Sequence, residues 1–152
     1  MRRKDREITD QGEMETILAT APVCRVAMAD GEEPYVVPLC FGYRDNTIYF
    51  HSSREGKKIA MLVKNPRCCV EVDQYEGPIP DQKPCSWEVR YKSVICTGIA
   101  RSVDDCDEKR AALNCIMQHY GGETYAFSEK ELDRVLVVKI AIQEMTGKKY
   151  GY

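Results

Sequence analysis

Hydrophobic and polar positions recur along the chain with the two periods that distinguish helices from strands. Apolar side chains at the spacing of one helix face follow a capping pair of Asp10 and Glu13, and this pattern predicts a first helix. These apolar side chains are Met14, Ile17, Leu18 and Ala21. Helical spacing also predicts three further helices. One runs from Gly56 to Asn65, and the other two begin after the capping candidates Asp105 and Ser128.

Runs rich in β-branched and aromatic residues predict the strands. They cover residues 23–29, 35–43, 47–51, 68–72, 87–100 and 135–142. Asp30 and Gly31 form a hairpin signal between the first two runs, so we expect the first three strands to form an antiparallel meander. Pro38 has no N–H to donate to a neighbouring strand. It therefore predicts an edge strand or a bulge whose backbone is free to meet a ligand.

The rest of the chain predicts loops and one irregular strand. Tyr75 to Pro84 contains three prolines and a glycine, which predicts a stiff loop that acts as a lid or a subunit contact. From Val94 onward both faces of the fifth run are apolar, which predicts burial on both sides or a bulge near Ser93. Met145 to Tyr152 is rich in glycine, lysine and tyrosine and predicts a terminal tail.

About six antiparallel strands with short helices between them predict a mainly β fold, a small barrel with helical decorations, in one domain over residues 1–152. The net charge of −2, with acids and bases mixed throughout, argues against a nucleic-acid partner. No apolar run reaches membrane-spanning length and the N-terminus lacks the apolar core of a signal peptide, so we expect a cytoplasmic protein without membrane contact.

Eight cysteines are present, but none forms a C-x-x-C motif. Four of them lie inside periodic apolar segments, and we expect these to be reduced core residues. They are Cys24, Cys40, Cys96 and Cys115. We therefore expect no metal site; a zinc site built from distant cysteines and the two histidines is the less favoured alternative.

The junction of the third strand and the second helix, residues 47–58, is the main candidate for chemistry. Ser52 and Glu55 have the spacing of a capping box, which predicts that the helix begins there. A helix start offers unpaired N–H groups and partial positive charge to an anion, and Arg54, Lys57 and Lys58 add three cations. The pattern indicates a phosphate-binding corner or, equally, a solvated helix start. No P-loop or G-x-G-x-x-G pattern is present.

Several short motifs, taken in chain order, resemble those of one known family. The chain is similar to the pyridoxamine 5′-phosphate oxidase-like FMN-binding split barrels and, within them, to the nitroimidazole-resistance proteins. The motifs are Met1 to Ile8, Pro34 to Leu39, Tyr49 to Ser52 with Gly56 and Lys58, Asn65-Pro66, Tyr91 to Ile95, and Thr146 to Lys148. The arginine- and lysine-rich substrate residues of true pyridoxamine phosphate oxidases are not reproduced, which argues against that substrate.

The resemblance implies a six-stranded antiparallel split barrel of Greek-key type that forms a homodimer with FMN between the subunits. It implies that Ser53, Lys57 and Lys58 hold the FMN phosphate, that the backbone of residues 36–39 lies beside the flavin ring, and that Ser93 contacts the flavin of the partner subunit. The candidate cofactor-binding residues are Val36, Val37, Pro38, Leu39, His51, Ser52, Ser53, Lys57, Lys58 and Ser93.

His51 is the candidate catalytic residue. Strand alternation places it on the same face as Tyr49. A histidine beside a flavin is able to donate a proton, near neutral pH, to a substrate that is being reduced. The alternative is that His51 only hydrogen-bonds the helix cap or the FMN phosphate. His119, near a predicted helix end, is expected to cap that helix.

The leading hypothesis is an FMN-dependent oxidoreductase that takes electrons from a nicotinamide cofactor or another donor and reduces a small molecule such as a nitroaromatic. The second hypothesis is a flavin- or haem-binding sensor or storage protein without turnover. A third is a structural dimer without a ligand. The roles of Cys85 and Trp87 are not assigned by any motif.

Overall fold

The structure is a computed structural model that describes residues 3–152, so Met1 and Arg2 of the first motif lie outside the described residues. Its four helices are α1 (Gln11–Thr20), α2 (Lys57–Lys64), α3 (Cys106–His119) and α4 (Glu129–Arg134). Its eight strands are β1 (Glu7–Ile8), β2 (Cys24–Asp30), β3 (Glu33–Leu39), β4 (Gly42–Arg44), β5 (Thr47–Ser52), β6 (Arg67–Ile79), β7 (Glu88–Ser102) and β8 (Leu136–Tyr150). Short 3₁₀ turns occupy Lys4–Arg6 and Pro84–Ser86.

The strands form one antiparallel sheet in the order β3-β2-β6-β7-β8-β5-β4, and β1 pairs with β8. β3 and β4 are the two ends of this order, yet only Cys40 and Phe41 separate them in the chain. Two intervening residues span at most about 11 Å between Leu39 and Gly42, so the sheet must curl until its ends nearly meet. The predicted barrel of six main antiparallel strands is confirmed, with the short β1 and β4 added.

The predicted meander is confirmed in its two antiparallel pairings, β2 with β3 and β4 with β5, but its second strand is not continuous. β5 pairs with β8 and β4, and β3 pairs only with β2. The predicted strand over residues 35–43 is interrupted at Cys40 and Phe41 because the chain there crosses from one end of the sheet to the other. Pro34 and Pro38 have no N–H for a second neighbour, so the prediction of an edge strand around Pro38 is confirmed.

β6 and β8 are longer than predicted. β6 continues through the predicted loop to Ile79 by way of a bulge between Tyr75 and Gly77, and Gly77 has a φ of +106°. β8 continues through the predicted tail to Tyr150. Both extensions form because the 15-residue β7 offers a hydrogen-bonding partner on each side. The register shift of β7 against β8 lies between Thr97 and Gly98 and not near Ser93.

The core fills the inside of the barrel, and α1 and α2 pack against it. Phe41, Ile48 and Phe50 are fully buried there together with Leu18 of α1, while α2 contributes Met61 and Leu62. In β7 only one face is buried, because Val94, Cys96 and Ala100 point inward. Ile95 on the other face is 45% exposed, so the predicted burial on both sides is wrong within one copy of the chain.

Side chains on the outside of β6, β7 and β8 form a surface that we call the outer sheet face. It comprises Tyr75, Tyr91, Ser93, Ile95, Lys148 and Tyr150, which are opposed in register or lie two residues apart on one strand. Tyr75 is 64% exposed, and Trp87 at the start of β7 is 55% exposed. Large exposed aromatic and aliphatic side chains on one sheet face are typical of an interaction surface.

Local predictions for helix starts are confirmed at three places. The carboxylates of Asp10 and Asp105 accept hydrogen bonds from the N–H groups three residues on, and Ser128 forms a capping box with Glu131. Of the four cysteines predicted to be buried, Cys40 is exposed and the other three are buried. Burial raises the pKa of the Cys24 thiol to about 12, so this thiol stays protonated at neutral pH.

Within residues 3–152, no helix has the length and apolar character needed to cross a membrane. The same residues contain no cluster of three or more histidine, cysteine, aspartate or glutamate side chains that is able to hold a metal ion.

Candidate functional site

The candidate site is the corner between β5 and α2, where the strand ends at Ser52 and the helix begins at Lys57. The predicted capping box of Ser52 and Glu55 is wrong. Ser52 is still paired in β5 with Leu136 and points into the barrel, so its hydroxyl does not reach the helix. Gly56 is the residue before the helix, with a φ of +129°, and Ser53 Oγ donates a hydrogen bond to the Glu55 carbonyl at 2.7 Å.

Ser52 carries an unusual hydroxyl group. The residue is only 6% exposed, and Ser52 Oγ has no hydrogen-bond partner among the described residues. A buried hydroxyl without a partner costs roughly 1–3 kcal/mol relative to one that is hydrogen-bonded. Such a group needs a water molecule or a polar ligand to complete its hydrogen bonding.

The first turn of α2 supplies two lysines in different environments. Lys57 Nζ lies 2.5 Å from Glu33 Oε1 and 4.8 Å from the centre of the Tyr35 ring. The hydrogen bond to Glu33 raises the pKa of Lys57, so this side chain stays charged. Lys58 is half-buried and forms no ion pair within the part of the chain that the structure describes. Its charge is therefore free to meet an anion.

Arg54, the third predicted cation, is already occupied. Its guanidinium donates two hydrogen bonds to the Asp133 carbonyl oxygen, at 2.8 and 3.2 Å, and so joins the corner to the end of α4. The positive charge available to a ligand at this corner therefore comes from the two lysines.

The contact between Lys57 and Glu33 brings the corner next to β3, as the predicted site requires. Along β3 the side chains alternate: Val37 and Leu39 pack on the barrel core, whereas Val36 and Pro38 face outward. Val36 is 59% exposed. Glu33 and Tyr35, which Lys57 contacts, share the face of Val37 and Leu39, so the corner adjoins the core-facing side of this edge strand.

His51 lies on the outside of β5, opposite Val137, and Tyr49 is on the same face, as strand alternation predicted. Its imidazole is exposed and makes no hydrogen bond to another described residue. This placement leaves both of its ring nitrogens accessible. Its role as a proton donor remains a prediction.

His119 does not cap its helix, so that prediction is wrong. Its Nε2 lies 2.7 Å from the Ala21 carbonyl oxygen, and its ring lies 4.4 Å from the ring of Phe41. The helix end is closed instead by the Gly122 N–H, which donates to the Met117 carbonyl at 2.9 Å. His119 therefore joins α3 to the end of α1 and to the chain crossing at Phe41.

Ser93 does not join the other predicted site residues in one copy of the chain. It is paired with Asp73 and Lys148. The residue of β7 in register with Val36, three strands away, is Thr97, and Ser93 lies four residues before Thr97. Strand spacing and rise then give a separation of about 20 Å along the sheet. Ser93 therefore does not contact the predicted site residues of β3 within one copy of the chain.

A cavity of about 430 Å³ is lined by Ile59, Leu62 and Val63 of α2 and by residues of β7 and β8. Its floor is apolar, and Arg101, Ser102 and Asp104 lie at its edge. None of the ten predicted cofactor-binding residues lines it. The residues that sequence reasoning missed are Glu33 and Tyr35, which contact Lys57; no local sequence signal links them to a helix more than 20 positions later.

The chain is similar to one family of known proteins over nearly its whole length. Residues 10–149 match the family model described as pyridoxamine 5′-phosphate oxidase. A candidate 5-nitroimidazole antibiotic resistance protein from Bacteroides thetaiotaomicron is 37% identical, with a TM-score of 0.83 over 93% of this chain and 85% of that chain. A FAD-binding protein from Mesorhizobium loti is 25% identical, with a TM-score of 0.72 over 96% of this chain and 98% of that chain.

Two further matches are more distant. The FAD and haem binding protein from Mycobacterium smegmatis is 23% identical, with a TM-score of 0.86 over 97% of this chain and 75% of that chain, which shows the same fold. An uncharacterized protein of Rhizobium meliloti (strain 1021) is 23% identical over 91 residues, or 60% of this chain. The chain spans 53% of the length of that curated relative.

Proposed function

Because the chain belongs to the pyridoxamine 5′-phosphate oxidase family, we propose that it is a flavoprotein that binds FMN at the corner between β5 and α2. The observation that carries the proposal is the unpaired charge of Lys58 at the start of α2, which follows a strand whose last residue, Ser52, has a buried and unpartnered Oγ. A phosphate group offers several acceptor oxygens and negative charge, which suits a hydroxyl donor, two ammonium groups and the positive end of a helix.

Each corner residue makes a different contact with FMN. Lys58 is free to bind the phosphate directly, and Lys57 binds it after leaving Glu33. Ser52 Oγ donates a hydrogen bond to a phosphate oxygen. The exposed outward side of β3, at Val36 and Pro38, lies beside the flavin ring and excludes water from one of its faces.

We further propose that the protein is an oxidoreductase that reduces a small nitroaromatic compound. Support comes from the 37% identical protein of Bacteroides thetaiotaomicron, which is a candidate 5-nitroimidazole antibiotic resistance protein. The flavin, when bound, supplies the electron transfer from a nicotinamide or another donor. His51 supplies a proton from an imidazole nitrogen, which its exposed position on β5 allows.

The protein is proposed to act as a homodimer. The outer sheet face and Trp87 expose large apolar side chains that a second copy would cover. The separation of about 20 Å between Ser93 and Val36 of β3 is also explained if Ser93 serves the site of the other copy.

The proposed function is tested by following bound flavin through one cycle of reduction and oxidation. The FMN-loaded protein should lose its flavin absorbance on addition of NADH, NADPH or dithionite and regain it with a 5-nitroimidazole faster than free FMN does. If the FMN-loaded protein is reoxidised no faster than free FMN, the protein binds flavin but does not have the proposed reductase activity. A haem absorbance band without retained flavin after incubation with FMN would contradict the flavin assignment.

A further inference from the structure

The cavity of about 430 Å³ between α2, the end of β7 and the start of β8 has walls that are fixed by the main chain. The Ala100 N–H donates to the Pro66 carbonyl at 2.8 Å, and the Val103 N–H donates to the Val137 carbonyl at 2.9 Å. Ligand sites in proteins are usually preformed concave surfaces of this kind. A water molecule takes up about 30 Å³ of the liquid, so the cavity has the volume of roughly 14 waters. It therefore suits a small organic molecule.

Most of the cavity lining is apolar. Ile59 and Val63 are one helical turn apart on α2, and Leu136 and Val138 are two residues apart on β8, so each pair shares a face. Val63 is 79% exposed although it lies beside these apolar neighbours. An apolar ligand body would cover this side chain and remove it from water.

The polar side chains on the cavity side are those of Ser102 and Asp104. Ala100 is buried and lines the cavity, so strand alternation places Ser102 on the same side, and Asp104 lines the cavity two positions further on. Arg101 belongs to the other side of the strand, where it is opposite Lys139. Among the described residues 3–152, Asp104 forms no ion pair with a lysine, arginine or histidine. The cavity therefore has an unpaired carboxylate at its edge.

The last turn of α2 adds negative potential to the same cavity. The helix ends at Lys64, and Pro66 has no N–H to donate to the Leu62 carbonyl four residues earlier. Leu62 and Pro66 both line the cavity, and the C-terminal end of a helix carries partial negative charge. Lys64, the basic residue of this turn, is paired with Asp30 at 2.6 Å. Two features, a carboxylate and a helix C-terminus, thus favour a cation.

We propose that this cavity binds a small primary amine with an apolar body. Its ammonium group lies against Asp104 and Ser102, and its body lies against the apolar side chains of α2 and β8. An ammonium offers three donors, and the carboxylate, the hydroxyl and a free helix carbonyl are acceptors. A carboxylic acid ligand would place its negative charge against Asp104 and the end of α2. The amine site is separate from the flavin, because none of the ten predicted cofactor-binding residues lines the cavity.

The first test is isothermal titration of the protein with phenethylamine and with phenylpropionate, which has a similar body and the opposite charge. An alkylammonium group, like that of lysine, is protonated at neutral pH. We expect phenethylamine to bind at a single saturable site per chain and phenylpropionate to bind more weakly. Absence of saturable phenethylamine binding at millimolar concentrations, or phenylpropionate binding that is at least as tight, would overturn the proposal.

Substitutions test where the amine binds. Asp104→Asn should weaken phenethylamine binding by about tenfold, because a charge-assisted contact is lost. Asp107→Asn is the matched control, because Asp107 is paired with Arg110 and does not line the cavity. Val63→Trp fills the cavity from an exposed position, so it should abolish amine binding without loss of the fold, which thermal unfolding checks. If Asp104→Asn binds as well as Asp107→Asn, or Val63→Trp as well as the natural sequence, the amine is not held in this cavity.

The same titration with FMN-loaded protein separates the amine site from the proposed function. Phenethylamine should bind the loaded protein with unchanged affinity, and the flavin absorbance should remain with the protein. Competition between phenethylamine and FMN would place the cavity within the flavin site and overturn the proposal. Failure of the protein to bind FMN would instead overturn the proposed function, and the amine titration of the FMN-free protein would still decide the amine site.

Discussion

The end of α3 and the corner between β5 and α2 each contain a histidine. They differ in whether their polar side chains form hydrogen bonds within the protein. At the end of α3, the His119 ring is hydrogen-bonded to Ala21, and Tyr120 Oη donates to the Pro22 carbonyl at 3.0 Å and accepts from the Phe41 N–H at 3.2 Å. At the corner of β5 and α2, Ser52 Oγ and His51 have no hydrogen-bond partners within the described chain.

The difference indicates different roles. Polar groups that serve the fold are paired inside the protein, because an unpaired buried donor destabilises it. Groups that remain unpaired at a lysine-rich helix start are available for a ligand. The α3 corner should therefore respond to mutation in stability, and the β5–α2 corner in ligand binding.

The largest expected effect is on the stability of the α3 corner. Phe41 is fully buried and packs against His119, so Phe41→Ala should lower the free energy of unfolding by about 3–5 kcal/mol, as measured by urea denaturation. The control Val63→Ala changes a side chain that is 79% exposed and should change stability by less than about 0.5 kcal/mol. A loss below about 1 kcal/mol for Phe41→Ala would show that this corner is not a structural anchor.

Mutation of the two histidines should also have different effects, on turnover for His51 and on stability for His119. His51→Ala should retain flavin and keep its stability, but slow reduction of a nitroaromatic by about 100-fold, because a proton donor is removed. His119→Ala should instead lower stability by about 1–3 kcal/mol, since the Ala21 carbonyl loses its partner. Normal turnover of His51→Ala in a single-turnover assay would assign His51 a structural role only.

The lysine pair should control affinity without affecting the fold. Lys57→Ala together with Lys58→Ala should raise the FMN dissociation constant by about tenfold or more, because charge-assisted phosphate contacts are lost. Lys64→Ala is the matched control, because Lys64 is at the other end of α2 and is paired with Asp30. If the double variant and the control bind FMN equally, the phosphate is held elsewhere.

Ser52→Ala should have opposite effects on the two states of the protein. Removing an unpartnered buried hydroxyl should stabilise the ligand-free protein by about 1 kcal/mol and weaken FMN binding several-fold, because the donor to the ligand is lost. Thermal unfolding with and without FMN measures both effects. A variant less stable than the natural protein in the absence of FMN would mean that the hydroxyl has a partner in the fold.

The smallest expected effect is that of Glu33. Its carboxylate competes with the phosphate for Lys57, so Glu33→Gln should tighten FMN binding by about two- to fivefold, the range expected for a weak exposed ion pair. Isothermal titration at low and moderate salt measures this change. Weaker binding in Glu33→Gln would show that Glu33 positions Lys57 and does not compete with the ligand.

The helices and strands of this protein were predictable from local sequence patterns, and the long-range strand pairing was not. Helix spacing and capping residues predicted α1, α3 and α4, and β-branched runs predicted the strands of the barrel core. The hairpin pairings of the meander were predictable, whereas the break in its second strand at Cys40 and Phe41 and the pairing of β5 with β8, more than 80 positions away, have no local signal. The prediction of a terminal tail was wrong because it rested on the polar composition of residues 145–152. Lys149 in this segment instead forms an ion pair with Glu13 of α1.

The candidate site shows the same division. Two lysines at a strand-to-helix junction were visible in the sequence, and the structure confirms that they lie at the start of α2. Ser52 satisfies both a capping pattern and a strand pattern, and pairing with Leu136 decides in favour of the strand. Its burial, and the approach of Glu33 to Lys57, depend on the closed barrel and have no local signal.

The most direct test of the central claim is the absorbance spectrum of the purified protein before and after incubation with FMN and removal of free FMN by desalting. The account predicts that flavin absorbance remains with the protein at one FMN per chain and that the Lys57→Ala/Lys58→Ala variant loses it. Protein that stays colourless after incubation with excess FMN would contradict the account.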